Sequence, residues 1–342
     1  MNITKLSVRF QTFAEECKGS SRLYEVLSNE IAKDEELLSI TADTRIGQPI
    51  PNMLFGAVQY MLLKNADHEL KRFYKSMVEK PRPAIEAFPY FKDFCFNYRS
   101  EISDLLKSKL VQTNEVRRCA YLYPAFCYVY EKIKQPLALI EIGTSAGFQL
   151  LWDTYAYSYG STEIYGNTQA DIVLEAEVRE GKLPDFMQSP PPVSKRIGLD
   201  LHINNVKNSE DRLWLKALIW PEHVDRRDLF DKVASQVQAA NLQLIEGDGV
   251  AMLPELVNEI SSEMAVVVFH THVANQFSNL LKEELLQQIH SIGSKRDIFH
   301  LYNNMYDRYL HLDYYLQGGK VSHIVGETEG HGRWFTWNLS GK

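Results

Sequence analysis

A glycine-rich segment carries the clearest chemical signal in this sequence of 342 residues. The segment EIGTSAG, residues 141–147, directly follows an apolar run and precedes the helical pattern FQLLWDTYAY. This order predicts a buried strand, a tight turn and a helix. Gly143 can make the turn that leaves the strand, and Gly147 lets the next helix pack closely on the sheet. Because a helix N-terminus favours an anionic group, the turn predicts a site for a nucleotide-like ligand.

Two later strand ends carry a carboxylate. Asp200 and Leu201 end the run RIGLDL, where an aspartate can accept hydrogen bonds from ribose hydroxyls. Gly247, Asp248 and Gly249 end the next run, where the glycines allow a close approach of the backbone and the aspartate can accept from an adenine amino group. Each aspartate by itself fits equally well as the cap of the helix that follows it.

A fourth apolar run, AVVVF, ends in His270-Thr271-His272. Ligands of open α/β sheets bind beyond the carboxyl ends of the strands, so four such ends predict one functional crevice. His270 and His272 are the candidate catalytic bases there, for an acceptor that must lose a proton. A structural role fits both rings equally well.

The residues GTSAG also match GxSxG, the nucleophile elbow of α/β-hydrolases. Ser145 is the nucleophile in that interpretation. Such an elbow normally follows several strands, whereas the preceding part of this chain has helical spacing, so we rank the hydrolase below a nucleotide-binding sheet. The sequence has no HExxH and no Cys/His cluster at ligand spacing, and it indicates no metal site.

The apolar spacing divides the chain into two regions. Apolar residues recur at helical intervals up to about residue 135, which predicts an all-helical N-terminal domain over residues 1–111. Short apolar runs then alternate with helical patterns, which predicts an α/β domain with a mainly parallel sheet over residues 112–342. Residues 165–194 predict a β-rich insertion. The runs at 320–326 and 333–339 predict a terminal antiparallel hairpin.

The composition is that of an average globular protein, with 45% hydrophobic and 24% charged residues. A net charge of -7 gives no field that would gather nucleic acid. No apolar stretch reaches the roughly 18 residues of a membrane span. The four cysteines have no CxxC pairing, and the N-terminus lacks a secretory signal, so we expect reduced thiols in a cytoplasmic protein. The oligomeric state stays open.

Taken together, the motifs resemble class I S-adenosylmethionine-dependent methyltransferases over about residues 112–342. The resemblance rests on E-x-G-x-x-x-G, an aspartate after a later strand, GDG after the next, an apolar strand and a terminal hairpin. It implies a Rossmann-like, seven-stranded sheet with its last strand antiparallel, and S-adenosylmethionine as the cofactor. Asp200 with Leu201 would hold the ribose, and Asp248 between Gly247 and Gly249 would meet the adenine. The residues that would flank the methionine end are Glu141, Gly143, Thr144, Ser145 and Gly147.

The chain departs from the methyltransferase pattern at Ser145, where a glycine is usual; its hydroxyl would donate to the methionine carboxylate. Over nearly its full length the chain also resembles an uncharacterised bacterial family that shares this half. That likeness rests on Asn114-Glu115 with Arg118-Cys119, EIGTSAG with Leu151-Trp152-Asp153, Trp220-Pro221-Glu222, and VVVFH. The function that follows is methyl transfer to a small or medium-sized acceptor, with the helical region, including Arg118, covering the crevice. The alternative is a non-catalytic protein that binds an adenosyl ligand or a protein partner.

Overall fold

The structure is a computed structural model that describes residues 2–112 and 114–339. Within them the α-helices are α1 (Ile3–Cys17), α2 (Arg22–Ile31), α3 (Glu35–Thr41), α4 (Ile50–Leu63), α5 (Ala87–Asn97), α6 (Arg99–Ser108), α7 (Cys119–Ile133), α8 (Ser209–Ala217), α9 (Val224–Ala239), α10 (Gly249–Asn258) and α11 (Asn279–Gly293). Short 3₁₀ segments lie at Glu69–Phe73, Ala84–Glu86, Val116–Arg118, Phe148–Thr154 and Ala274–Gln276.

The strands of the described chain are β1 (Leu137–Ile142), β2 (Ala156–Ser158), β3 (Ile164–Gly166), β4 (Val173–Glu175), β5 (Glu177–Glu180), β6 (Val193–Asp200), β7 (Gln243–Glu246), β8 (Ala265–His270), β9 (Ile298–Asn303), β10 (Tyr309–Leu316), β11 (Gly319–Glu327) and β12 (Trp334–Thr336). The predicted combination of an α/β fold, a mostly parallel sheet and a helical N-terminal region is confirmed. No helix in the described ranges is both long and apolar enough to cross a membrane.

Local sequence explains where many helices begin. The side chains of Asn2, Ser21, Asp34, Asn208 and Ser278 each accept a hydrogen bond from a backbone N–H of the first turn of the helix that follows. Such caps satisfy donors that have no partner inside the helix. The four cysteines are buried free thiols.

The first compact unit consists of Met1–Thr113 together with Asn205–Lys232. The later segment joins its core through Trp214, whose indole N–H donates to the Leu110 carbonyl at 2.7 Å, and through Trp220, which packs edge-on against Phe13. The domain boundaries predicted from the sequence differ from this division, because residues 205–232 were assigned to the α/β half. The helical period of a segment does not specify the core in which its apolar face is buried.

Polar contacts also hold the later segment in the first unit. The Gln59 amide, fully buried, donates to the carbonyls of Ala217 and Ile219 at 2.7 and 2.6 Å. Glu222 accepts from the Ser21 hydroxyl at 2.6 Å and from the backbone N–H of Leu23 at 2.9 Å, so its carboxylate satisfies donors at the start of α2. The Trp-Pro-Glu signature therefore has a structural role in this unit.

The second unit consists of Asn114–Asn204 and Val233–Lys342 and contains a seven-stranded sheet of order β11-β10-β9-β8-β1-β6-β7. The pairs β1–β6, β6–β7, β1–β8 and β8–β9 are parallel. One face packs against α10 and α11 around Val266, Val268 and Leu285. On α7, Phe126 stacks on Trp152 and meets Phe269 of β8 edge-on. Strands alternating with helices thus build the expected parallel core.

The terminal hairpin lies one strand earlier than predicted. The predicted run 320–326 is β11, but it pairs with β10, and the turn between them places Gln317 and Gly318 at positive φ, as tight hairpin turns require. The predicted partner run 333–339 contains β12, which pairs with β5 instead. Since β10 reverses direction and β11 reverses it again, the antiparallel strand of the sheet is β10 and not the last one.

Four short strands lie in and before the region of the predicted insertion: β2, β3 and β4 form a small sheet, and β5 pairs with β12. The helix predicted after the glycine-rich turn is different in the structure. Phe148–Thr154 is a 3₁₀ segment with non-helical backbone at Leu151, and the chain enters β2 at Ala156. Its first five side chains are all buried, so they pack on every side and leave no exposed helical face.

Candidate functional site

The carboxyl ends of the parallel strands bring the predicted site residues to one edge of the sheet. Three residues there have left-handed backbone without being glycine: Ser145 after β1, His272 after β8 and Asn304 after β9, with φ of 52°, 56° and 53°. This conformation is costly for residues with a side chain and concentrates at functional sites. The edge is therefore the candidate functional site.

The backbone N–H groups of the glycine-rich turn are used within the protein. Gly143 and Thr144 donate to the Leu199 carbonyl at 2.8 and 3.1 Å, and Ser145 donates to the Asp200 carboxylate at 2.8 Å. Ala146 donates to the Asn114 side chain at 3.4 Å, and Gly147 to the Thr144 carbonyl. A closed turn of this kind offers no ring of free donors to an anion, unlike the phosphate-binding turn that the sequence predicts.

The glycines of the turn make room for protein side chains. A Cβ on Gly143 would lie 2.7 Å from Val273, and one on Gly147 would lie 2.8 Å from Leu242; both glycines also have positive φ. These positions need glycine because of conformation and close packing. The packing role accounts for both residues whether or not a ligand lies nearby.

Glu141, at the end of β1, is buried and accepts a hydrogen bond from the Thr144 hydroxyl at 2.6 Å. Burial raises the pKa of its carboxyl to about 8, and the nearby Asp200 adds to the rise, whereas Thr144 and Arg118 act in the opposite direction. Glu141 is consequently a neutral acid at pH 7 in the unliganded protein, and its proton can be lost if a cation binds beside it.

Ser145 is buried, and its hydroxyl oxygen accepts from the side-chain amides of Asn114 at 2.5 Å and Asn204 at 3.0 Å. The Asn204 backbone N–H also donates to the Ser145 carbonyl. A nucleophilic serine needs a base that accepts its proton, and an amide N–H cannot do so. These contacts give Ser145 the geometry of a structural hub and not that of an activated nucleophile.

Asp200 ends β6 with its carboxylate fixed by two backbone donors, Ser145 at 2.8 Å and His202 at 3.2 Å. A carboxylate has about four acceptor positions, and these two bonds set the orientation of the group. The next side chain, Leu201, is 77% exposed. An oriented carboxylate beside an uncovered apolar side chain is a suitable combination for a ribose and its base.

Asp248 is the N-cap of α10, accepting from the backbone N–H groups of Val250 and Ala251 at 2.9 and 3.2 Å. The capping role considered for it is thus present, and it involves a single carboxylate oxygen. A Cβ on Gly247 would approach the Met252 sulfur at 2.8 Å, and one on Gly249 would meet Leu199 and Ile142. Both glycines are explained by packing around the start of α10.

The two candidate bases lie in different surroundings. His270 is fully buried in β8, and its Nε2 is 3.1 Å from the Nε2 of His300 on β9. Burial lowers the pKa of both rings, that of His270 to about 3, so both are neutral at pH 7. A side chain with no exposed surface cannot reach a substrate. His270 is therefore a core residue in this structure.

His272 reaches the candidate site. Its backbone N–H donates to the Asn303 side chain at 3.1 Å, and its ring nitrogens lie 3.2 and 3.1 Å from the Asn304 amide nitrogen. Burial is the main cause that lowers the pKa of this ring to about 3, and the nearby Arg118 and His331 act in the same direction. His272 is neutral at pH 7, and its one acceptor nitrogen faces the Asn304 amide donor.

A polar network from the N-terminus of α7 joins this edge. Arg118, 7% exposed, donates through Nε to the Gly330 carbonyl at 2.9 Å and through Nη1 to the Thr271 hydroxyl at 3.4 Å. The same hydroxyl bonds the Gln149 amide, while buried Glu115 pairs with His331 at 3.3 Å. A buried guanidinium at the strand ends is an anchor suited to a carboxylate.

The family was established by comparison with known proteins. The model of a family described as "Uncharacterized protein conserved in bacteria (DUF2332)" matches residues 7–337. The chain belongs to the DUF2332 family. No curated protein matches it, and no solved structure does.

In this DUF2332 protein, sequence reasoning missed several residues of the site: Gln149, Asn204, Asn303, Asn304 and His331. Asparagine is one of the few residues that tolerate left-handed backbone, so the Asn303-Asn304 pair after the β9 run was a usable signal. Gln149 and His331 carried no comparable signal in the sequence, because the residues they contact are far away along the chain.

We expect the DUF2332 protein not to be labelled at Ser145 by a fluorophosphonate probe, since the described contacts of that hydroxyl are with two side-chain amides, which cannot take its proton. Intact-mass spectrometry after incubation checks this, with a known serine hydrolase as the positive control. The Ser145→Ala variant should be recovered folded, because leaving the buried Asn204 amide without this acceptor costs about 1–3 kcal/mol, less than a typical domain stability of about 5–15 kcal/mol. Stoichiometric labelling of the wild type that disappears in Ser145→Ala would establish the hydrolase instead.

Proposed function

We propose that the second unit binds S-adenosylmethionine at the carboxyl edge of its sheet and transfers the methyl group to a small or medium-sized acceptor. The observation that carries the proposal is the pairing of an oriented carboxylate, Asp200, with the exposed Leu201, next to the turn that follows β1. This pairing suits an adenosine: the carboxylate accepts from ribose hydroxyls, and the leucine covers one face of the base.

The remaining residues fit the methionine half of the ligand through side chains. Because the turn's N–H groups are used internally, the ligand carboxylate would be met by Arg118 and its ammonium group by Glu141. Glu141 would lose its proton when that cation binds, since the charge favours the carboxylate. Binding should then release a proton to the solvent.

When bound, S-adenosylmethionine supplies a methyl group on a sulfonium that is already a good leaving group. The protein has to hold the acceptor in line with that methyl group and exclude water from the site. His272, held by Asn303 and Asn304, would take the proton from the acceptor once methylation has made that group strongly acidic, in place of the hydrogen bond from Asn304. His270 is left out of the mechanism because it is fully buried.

A specific observation favours a second function, binding without turnover. The turn after β1 is closed by its own hydrogen bonds, and the space above Gly143 is filled by Val273. A protein on this fold that only senses an adenosyl ligand would need Asp200 and Leu201 but not His272. Binding with no methyl transfer to any acceptor would support this alternative.

We expect S-adenosylmethionine or S-adenosylhomocysteine to stabilise the protein, by about 2.7 kcal/mol at a hundred times the dissociation constant. Calorimetry and thermal shift measure this. Asp200→Asn should bind at least about tenfold more weakly, because a charged acceptor contributes roughly 1.5–3 kcal/mol. Asparagine keeps an oxygen for the Ser145 N–H and loses the acceptor of the His202 N–H, a cost of about 1–3 kcal/mol, which is below a typical domain stability of about 5–15 kcal/mol.

Glu246→Gln is the matched control, because Glu246 lies at the neighbouring strand end and accepts from the Ile203 N–H at 3.1 Å. It should bind the adenosyl ligand as the wild type does. No binding by the wild-type protein at millimolar ligand would refute the proposed function.

A further inference from the structure

The loop between β11 and β12 lies against the candidate site. We call its residues 328–333 the strap. A Cβ on Gly332 would lie 2.5 Å from the Arg117 carbonyl oxygen, so the two backbones are in close contact. A Cβ on Gly330 would lie 3.6 Å from Cε1 of the His272 ring. The strap therefore packs against the segment before α7 and lies next to the imidazole that follows β8.

The strap is a closed turn made of polar residues and glycines. The Glu329 carboxylate accepts from the backbone N–H groups of His331 and Arg333 at 3.0 and 3.1 Å. The sequence of residues 329–333, EGHGR, contains no apolar side chain that would anchor it in a core. Because these bonds lie within the turn, the strap can move away as a unit, and hydrogen bonds to water replace the contacts that it loses.

Two polar contacts fasten the strap over the site. The Gly330 carbonyl accepts from Nε of buried Arg118 at 2.9 Å. The Nδ1 atom of His331 lies 3.3 Å from the carboxylate of buried Glu115. Arg118 is the residue to which the proposed function assigns the ligand carboxylate. The strap carbonyl therefore occupies a donor of the group that would bind that carboxylate.

A carboxylate on Arg118 competes with the strap. A carboxylate held by two parallel N–H bonds takes Nη2 of the guanidinium together with either Nε or Nη1. Both of those atoms already have an acceptor: the Gly330 carbonyl on Nε, and the Thr271 hydroxyl on Nη1 at 3.4 Å. The Thr271 hydroxyl is also bonded to the Gln149 side chain. The neutral carbonyl of a detachable turn is therefore the acceptor that a charged oxygen replaces.

We propose that the strap is a cover that the carboxylate of the adenosyl ligand displaces from Arg118. The proposal rests on the proposed function and adds how its site is closed. In the unliganded protein the Gly330 carbonyl bonds Nε; in the complex the ligand carboxylate takes its place, and the strap moves off Arg118 and His272. The imidazole that would take the acceptor's proton is uncovered only after the methyl donor is bound, so the acceptor enters second.

The test measures the affinities of two ligands for the full-length protein by calorimetry. S-Adenosylhomocysteine carries the amino-acid carboxylate, and 5′-methylthioadenosine lacks it. Gly332→Ala should displace the strap, because its Cβ would meet the Arg117 backbone and its φ is 73°. This variant should bind S-adenosylhomocysteine at least about threefold more tightly than the wild type, since the closed state no longer competes. Its affinity for 5′-methylthioadenosine should be unchanged.

The matched control is Gly318→Ala. Gly318 has nearly the same φ, 79°, but a Cβ there has no atom within 4 Å, so the variant has the backbone strain without the contact with Arg117. It should bind both ligands as the wild type does.

A second variant, His331→Ala, loosens the strap without straining its backbone. It removes a 39% exposed side chain and its contact with Glu115, and it keeps the N–H that bonds Glu329. It should also bind S-adenosylhomocysteine more tightly. An affinity that is unchanged or weaker in every folded variant, with binding by the wild type, would refute the cover and leave the proposed function standing. No binding by the wild type or by either variant would refute both.

Discussion

A fragment of residues 1–113 will not fold cooperatively by itself. In the intact chain the core of this unit includes Trp214 and Ala217, and Trp220 packs on its aromatic cluster. Truncating one buried tryptophan costs about 3–5 kcal/mol, and the fragment lacks both tryptophans and the Gln59 and Glu222 contacts. The combined loss is comparable to the whole stability of a typical domain, about 5–15 kcal/mol.

Urea unfolding followed by circular dichroism checks this expectation. The control is the same fragment joined through a flexible glycine-serine linker to residues 205–232, which restores the complete unit. We expect a sigmoidal transition for the joined fragment and a shallow, non-cooperative one for residues 1–113. A cooperative transition of equal midpoint in both would mean that the later segment adds nothing to this core.

The second large effect is a loss of stability on mild acidification. His270 and His300 are buried and neutral, with pKa values lowered from the usual value near 6.5, that of His270 to about 3. Below pH 6.5 the unfolded chain binds a proton at each residue and the folded protein does not, so the free energy of unfolding falls as pH falls towards 3. His272, with its pKa also lowered to about 3, acts in the same direction.

Glu141 opposes this effect. Its pKa is raised to about 8, so between pH 6.5 and 5 the folded protein holds a proton there that the unfolded chain lacks, and acidification favours folding at this group. Three histidines oppose one glutamate, so below pH 6.5 the unfolded chain binds one to two more protons than the folded protein does. The free energy of unfolding should therefore fall by about 1.4–2.7 kcal/mol per pH unit below pH 6.5.

Denaturant titrations at pH 7.5, 6.5, 5.5 and 5.0 measure this slope. The double variant His270→Leu with His300→Leu should have a shallower slope, because the unfolded chain then binds two fewer protons. It should stay folded, because apolar groups replace both partners of a buried polar pair. An unchanged slope in the double variant would rule out the buried pair as its origin.

The single variant His270→Leu should behave differently at neutral pH. It leaves the His300 Nε2 buried without its partner, and it should cost about 1–3 kcal/mol at pH 7.5. The double variant should be closer to the wild type there.

Much of the fold was predictable from local patterns. The helical spacing of the first hundred residues, the buried runs that became β1 and β8, and the turn at EIGTSAG are properties of short windows, and each is present. These local predictions are correct because the spacing of apolar residues is set by which face of a helix or strand is buried.

The partners of those elements were decided by the tertiary structure. The apolar residues of 205–232 recur at helical intervals, and this spacing is the same whichever core they pack in. The contacts of Gln59 and Glu222 place these residues in the first unit. The same holds for β10. The predicted hairpin paired residues 320–326 with residues 333–339, whereas in the structure β11 pairs with β10. Pairing depends on residues distant in sequence, which a local window does not contain.

For the candidate site, the sequence by itself determined that Glu141, Ser145, Asp200, Asp248 and His272 come at strand ends of a mainly parallel sheet, and therefore at one edge of it. Only the tertiary structure decided what each side chain contacts: Asp200 holds the Ser145 N–H, and Asp248 caps α10. It also buried His270 against His300 and left His272 beside Asn304. The physical reason is that a strand's end is fixed by local composition, whereas burial and hydrogen bonding are fixed by chain segments that meet only after folding.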